Sequence, residues 1–294
     1  MNIGRLVIVA FLIATPTWAQ TEKTDLNPRS LIEAALENGA GSRLMSEYTY
    51  RVRITQRQRL HGALTTGTAV YETYAPTVKL QGETKFVLLK IEENGIAVSA
   101  KKLQDERERK SEELARLDEE ARQQNATEAT APETPPGTTK ATYFTIVAPN
   151  GIRLSVETIL RNSEVELLRT EKIDERVNTV LRFHFKPDTQ LESYEQWLTK
   201  ISGLLWIDSA DKVVTRMSSW AKTDATQKNA PLAFYESQLM ADGQWLPRVG
   251  QINGLGSPYV FGDFDTDLRM VFSKYERFNA DIQDVKITSP QRKP

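Results

Sequence analysis

From residue 48 the apolar positions fall into a period of two. Tyr48, Tyr50, Val52 and Ile54 alternate with Thr49, Arg51, Arg53 and Thr55, the pattern of a strand with one buried face. Segments 64–74 and 86–91 predict two more strands, with Gly67 marking a bulge. Asn94-Gly95 between apolar residues predicts a tight hairpin. The pattern returns at Tyr143, Phe144, Ile146 and Val147, then over 164–168 and 178–185. GLLWIDSADKVVTRMSSW, residues 203–220, is the most regular stretch, two apolar runs around Asp208-Ser209-Ala210-Asp211. Segments 232–240 and 245–252 form another hairpin across Asp242-Gly243, a type I′ signature, with Pro247 at an edge or bulge. Leu268, Met270 and Phe272 share one face of a last strand.

Helical spacing governs few segments. In NPRSLIEAALENG, residues 27–39, Asn27 can cap, Pro28 suits the first turn, Ser30 and Glu33 have capping-box spacing, and Gly39 is a stop. Leu31, Ala34, Ala35 and Leu36 make its apolar stripe. Residues 152–161, IRLSVETILR, read as a second short helix. Residues 100–124 are charged helix formers broken only by Leu103, Leu114 and Leu117, with Glu112–Arg116 and Asp118–Arg122 at pairing distance. A helix polar nearly all round is not core. Residues 125–141, with Pro132, Pro135 and Pro136 among Thr and Ala, read as a flexible tether. Together 100–141 form an insertion in a loop of the sheet. The hairpin connections imply about ten strands, mostly antiparallel, in a sheet large enough to curl or close. One face needs a cover, which the amphipathic helices can supply.

The N-terminal segment changes the setting. Arg5 precedes an apolar run from Leu6 to Ala14, and Thr17-Trp18-Ala19 ends in small residues at the cleavage positions. This predicts a secretory signal peptide over 1–19, cleaved before Gln20, leaving one domain over 20–290. The alternative, an uncleaved anchor, has a run short for that role. No later run reaches ~18 apolar residues, so no transmembrane segment is expected in the mature chain. The chain has no cysteine, which excludes disulfides, thiolate metal sites, a cysteine nucleophile and a lipidated cysteine. Export without disulfides suits a bacterial periplasm. A net charge of −1, from 38 basic and 39 acidic residues, gives no pointer to nucleic acid.

The run Val180-Leu181-Arg182-Phe183-His184-Phe185-Lys186-Pro187 precedes Gly203-Leu204-Leu205-Trp206-Ile207-Asp208, then Asp211 and a return strand with Val213, Val214 and Arg216. Gly243-Gln244-Trp245-Leu246-Pro247 and Phe272-Ser273-Lys274-Tyr275 continue the pattern. Over most of 27–280, excluding the insertion, the chain resembles the LolA/LolB-like group of periplasmic lipoprotein carriers. The resemblance implies an α+β, mainly β fold: a curved antiparallel sheet forming an unclosed β-barrel, short helices covering the concave face, and an apolar hollow that accepts acyl chains. Its motifs are structural, and no functional residue is carried over from it.

The candidate chemistry is sparse. His184 sits between Phe183 and Phe185 and faces away from them, and His61 precedes Gly62 in a turn. Neither is set against a nucleophile. Asp263, Asp265 and Asp267 begin like a calcium loop, but Leu268 and Lys274 occupy the positions that need Gly and Glu, so a solvated acidic edge is expected. Arg51, Arg53, Arg57 and Arg59 share a strand face. They are the candidate anion contact, for a lipid headgroup or an acidic partner, and cross-strand pairing is the plainer reading. Trp206, Trp220, Trp245 and Phe272 are the candidate cavity lining, with Phe261 and Phe264 as further aromatics. No cofactor, metal or enzyme activity is predicted. The first expected function is a non-enzymatic periplasmic carrier of a lipoprotein acyl chain or other lipid, with 28–38 and 152–161 as lids. The alternative is a protein-interaction or envelope-sensor module with an envelope protein as partner, using the charged insertion as a docking arm.

Overall fold

The computed structural model describes residues 27–39, 47–60, 63–73, 78–80, 83–85, 88–128, 143, 145–148, 152–224, 230–255, 260 and 266–277. The expected signal peptide, the tether after residue 128, His61, Phe144, Phe261, Asp263, Phe264 and Asp265 lie outside the described residues.

Helix α1 (Pro28–Asn38) opens the described chain. Strands β1 (Tyr48–Leu60), β2 (Ala63–Thr73), β3 (Val78–Leu80), β4 (Glu83–Lys85), β5 (Leu88–Glu93) and β6 (Ile96–Ala97) follow. Helix α2 (Ala100–Glu128) leads to β7 (Thr145–Val147), β8 (Arg153–Ser155) and helix α3 (Val156–Asn162). The rest is β9 (Ser163–Ile173), β10 (Arg176–Phe185), a 3-10 turn (Gln196–Lys200), β11 (Ile201–Asp208), β12 (Val214–Ala221), β13 (Ala233–Leu239), β14 (Trp245–Asn253) and β15 (Thr266–Arg277). Eleven strands make one antiparallel sheet in the order β6-β5-β2-β1-β15-β14-β13-β12-β11-β10-β9. Strands β9 to β15 form a continuous meander, and β1 joins it beside β15. The edge strands β6 and β9 do not pair with each other, so the sheet stays open.

One face of this sheet is covered. Leu181, Phe183, Ile201, Leu205, Met217, Tyr235 and Ile252 point into a core completed by Leu31, Ile32 and Ala35 of α1 and Ile159 and Leu160 of α3. Ile146 and Leu154, from the β7–β8 pair, fill the same layer. Ala35 and Ile159 have no exposed surface and Ile146 has 1 %. Local sequence explains both helices. The Asn27 side chain accepts from Arg29 N at 3.0 Å ahead of Pro28, and Ser155 Oγ accepts from Thr158 N at 3.1 Å. Tyr143 fastens α1 to the sheet: its hydroxyl donates to Ala35 O at 2.6 Å and accepts from Val214 N at 3.3 Å.

Several sequence expectations need correction. Residues 153–155 are a strand paired with β7, not the first turn of a helix. Ser155 caps α3, so the helix cannot extend back through Arg153. The charged helix runs to Glu128 and lies against β3 and β5. Segment 164–168 is part of a long hairpin, β9–β10, turned by Asp174 and Glu175 with φ of 45° and 68°. Asp242-Gly243 is not a type I′ turn. Only Gly243 is left-handed, in a three-residue loop closed by Met240 N to Gln244 O at 2.8 Å. Gly67 stays in register between β1 and β2, where Thr68 N donates to Asn94 Oδ1. Pro247 does flank a bulge, since Arg248 is extra between the pairs Glu236↔Val249 and Ser237↔Pro247.

Buried phenols give the fold a pH limit. Burial, then the hydrogen bond to Asp242, pushes Tyr48 up to about 12. Burial also raises Tyr50, Tyr143, Tyr235 and Tyr275. A raised folded value stabilises fully below the unfolded value of 10.0 and is lost as pH climbs toward 12. Alkaline titration followed by phenolate absorbance is therefore expected to show these five of the nine tyrosines ionising only together with unfolding. Ionisation of all nine before any loss of circular dichroism would contradict the buried placement.

Candidate functional site

The site begins at the Asp208-Ser209-Ala210-Asp211 turn. Asp208 is buried and accepts from Ala210 N at 2.9 Å and Asp211 N at 2.7 Å, which folds the turn back on itself. Arg176, at the start of β10, grips the same carboxylate through two N–H groups at 2.6 and 2.8 Å and reaches Asp211 at 2.6 Å. Burial would raise the pKa of Asp208. The Arg176 guanidinium and the two backbone N–H groups outweigh it and hold the carboxyl below the ordinary 3.8. Trp245 donates its ring N–H to Asp211 at 2.8 Å, and Asn38 donates to Asp211 O at 3.0 Å, so α1 and β14 are tied to the same turn.

Two neighbouring bulges shape what lies beside it. Thr215 is extra between Trp206↔Arg216 and Ile207↔Val214, and Arg248 is extra in β14. Bulges bend a strand and re-aim its side chains. Here they open a groove of about 290 Å³ on the face away from α1 and α3, helix-free among the described residues, walled by Ile173, Arg176, Arg216, Leu239, Trp245 and Arg248. Arg216 donates to Glu236 at 2.8 Å, and Arg248 approaches the same carboxylate at 3.7 Å. The Arg216 guanidinium lies 5.8 Å from the Trp206 ring centroid, and its buried Nε has no hydrogen-bond partner. Two cations thus share one anion beside an apolar wall. A second cleft, wider and about 740 Å³, runs between α3 and residues 190–196 and is mostly polar, with Thr158 Oγ1 donating to Glu195 at 2.9 Å.

The four aromatics expected to line one hollow fall in three places. Trp206 and Trp220 pack with Val180 and Leu204 on the helix-free face, where Trp206 Nε1 donates to Glu171 at 2.6 Å. Trp245 lines the groove and also packs against the helix-covered core. Phe272 packs with Tyr48, Tyr50, Val52 and Leu246. The arginines of β1 lie together on the helix-free face. Arg51 bonds Glu72 at 3.2 Å, while Arg53 and Arg57 approach Glu92 and Asp267 at 3.9 and 3.6 Å, and Arg59 is exposed near the strand end. His184 faces outward and meets Glu164 at 3.0 Å. Asp267 accepts from Leu255 N at 3.0 Å, and among the described residues no three His, Asp or Glu side chains gather as a metal site. Sequence reasoning did not single out Arg176, Glu236 or Arg248 as a group. The available signal was the single charged residue in each of two adjacent, largely buried strands, VTRMSSWA and AFYESQL. Such a charge needs a cross-strand partner.

No described helix is long and apolar enough to cross a membrane. No protein-family model and no curated protein matches the chain. Among solved structures it is similar to a putative outer membrane lipoprotein-sorting protein domain from Vibrio parahaemolyticus, with 8 % identity and a TM-score of 0.37, over 86 % of this chain and 92 % of that one. It is similar to a LolA superfamily protein from Nitrosomonas europaea, with 11 % identity and a TM-score of 0.30, over 85 % and 93 %. It is also similar to a chain of the Pseudomonas aeruginosa MucA/MucB complex, with 9 % identity and a TM-score of 0.23, over 86 % and 59 %. These neighbours include the group that the sequence resembles, and identities this low leave function to the chain's own residues.

Proposed function

We propose that this chain is an exported, non-catalytic binding module that recognises a polypeptide partner in the cell envelope through the groove on its helix-free face. The observation that carries the reading is the contrast between the two faces. Under α1, α3 and the β7–β8 pair the sheet is packed solid, with Ala35, Ile159, Phe183 and Leu205 at 0 % exposure. The helix-free face holds a recess of about 290 Å³, just under the ~300–1,000 Å³ of small-molecule sites, and unlike the larger, mostly polar cleft beside α3 it has a tryptophan in its wall. That size suits one or two protein side chains. Its walls, Trp245, Arg216 and Arg248, are of the types that dominate binding energy at protein interfaces.

Carriage of a lipoprotein acyl chain or other lipid is the second reading. It is favoured by the apolar cluster of Tyr48, Tyr50, Val52, Leu246 and Phe272, which contains no residue of α1 or α3. Native mass spectrometry of the mature chain separates the two, with an apo mass expected. A photo-crosslinking residue at Leu239, on the groove wall, is expected to capture polypeptide in envelope preparations, and the same residue at the exposed Ile96 of β6 is not. A stoichiometric co-purified lipid, or equal capture at both positions, would reject the polypeptide reading.

A further inference from the structure

We infer that the partner segment bound on the helix-free face is acidic, with carboxylates on either side of an apolar residue. This rests on the polypeptide reading above. The register of the sheet supplies the geometry. Arg216 pairs with Glu236, Glu236 with Val249, Val249 with Val271, and Val271 with Arg53. These residues form one row straight across β12, β13, β14, β15 and β1. Two valines make an apolar saddle between Glu236, backed by Arg216, and Arg53, and Arg248 projects from the bulge beside Val249.

The charges in this row are layered. Arg53, Arg57 and Arg248 are 58, 50 and 53 % exposed, whereas their carboxylate neighbours Glu92, Asp267 and Glu236 are 31, 18 and 16 % exposed. The cations stand outermost, so an approaching chain meets positive charge first. Their separations from these carboxylates, 3.9, 3.6 and 3.7 Å, are ion-pair distances too long for hydrogen bonds. A guanidinium has five N–H donors in a planar fork. An incoming carboxylate can therefore be gripped bidentately without breaking a native hydrogen bond. Around the row four arginines, Arg53, Arg57, Arg216 and Arg248, meet three carboxylates, Glu92, Asp267 and Glu236. A planar bilayer fits less well, because Arg216 and Trp245 wall a recess that a flat surface does not enter.

Spacing follows from the same row. The exposed guanidiniums that make this grip, Arg248 on β14 and Arg53 on β1, are two strands apart, roughly 10 Å at ~4.8 Å per strand, which an extended peptide spans in roughly three residues. The inferred ligand is thus a segment with two Asp or Glu about three positions apart and an apolar side chain between them.

The test is selection of a random peptide library on the full mature chain, run in parallel with the Arg53→Gln/Arg248→Gln double variant and with flotation on phosphatidylglycerol vesicles. Both substitutions are at exposed side chains, and an unchanged thermal melt confirms an intact fold. Enriched peptides are expected to carry the spaced acidic pair, and the best of them to bind the double variant roughly tenfold more weakly. Enrichment of neutral or basic peptides overturns the acidic inference and leaves the polypeptide reading standing. No enrichment overturns both. Vesicle binding that depends on Arg53 and Arg248, with no acidic peptide selected, assigns the face to a bilayer instead.

Discussion

Asp208→Ala is expected to cost about 3–5 kcal/mol of folding stability, the usual result of removing one partner of a buried ion pair. For a domain of this size that lowers the melting midpoint by roughly 6–15 °C. The Asp208 side chain is 1 % exposed and holds four donors: two N–H groups of Arg176 and the backbone N–H groups of Ala210 and Asp211. Truncation leaves the turn unsatisfied and strips Arg176 of its main partner. Asp208→Asn keeps acceptance from the turn but removes the charge, so an intermediate loss is expected. The sign of the pH dependence follows from the depressed carboxyl. Its contribution is complete above the ordinary value of 3.8 and disappears as pH falls through the lower folded value. Denaturant unfolding at neutral and acidic pH measures this directly: the gap between wild type and Asp208→Asn should narrow on acidification. A loss below about 1 kcal/mol for the alanine variant would mean that the turn is held by something else.

The same network explains how far the sequence could be read. Alternation of apolar and polar residues records burial, so β1, the β11–β12 hairpin and β13–β14 are visible wherever one face is covered. Asp174-Glu175 adopts left-handed backbone without Gly or Asn, so nothing local announces the β9–β10 turn. The candidate groove was hidden for a different reason. Arg176 is 32 residues from Asp208 and Arg216 is 20 from Glu236, so each pair exists only once the register is known. The bulges at Thr215 and Arg248 compound this, because a parity counted from one end of a strand points to the wrong face beyond the extra residue. Residue type alone groups the aromatics, and the register separates them: Trp206 and Trp220 pack with Val180 and Leu204, Phe272 with Val52 and Leu246. The arginines of β1 pair with β2 without a register shift, and their shared face was legible.

Gly203→Ala is expected to be at least as damaging, costing about 3 kcal/mol or more, the upper range for overpacking a filled core. Gly203 lies on the covered face of β11, between Phe183 of β10 and Ser219 of β12. A methyl group there would sit 2.1 Å from Ser218 O, 2.8 Å from Ser219 Cα and 2.8 Å from Phe183 Cε1. Two of the three obstacles are backbone, and a ladder carbonyl cannot retreat without breaking strand pairing. Gly243 makes the comparison. It is left-handed with φ of 83° but has nothing within 4 Å of an added Cβ, so Gly243→Ala should cost only about 1 kcal/mol of backbone strain. Phe183→Leu then separates ring from backbone. If the ring were the obstacle, the double variant Gly203→Ala/Phe183→Leu would recover stability relative to Gly203→Ala. The carbonyl contact predicts no recovery, because Ser218 O stays where the sheet puts it. Chemical denaturation of the four variants decides the point. Recovery in the double variant would show that Gly203 serves the aromatic ring rather than the close approach of β11 and β12.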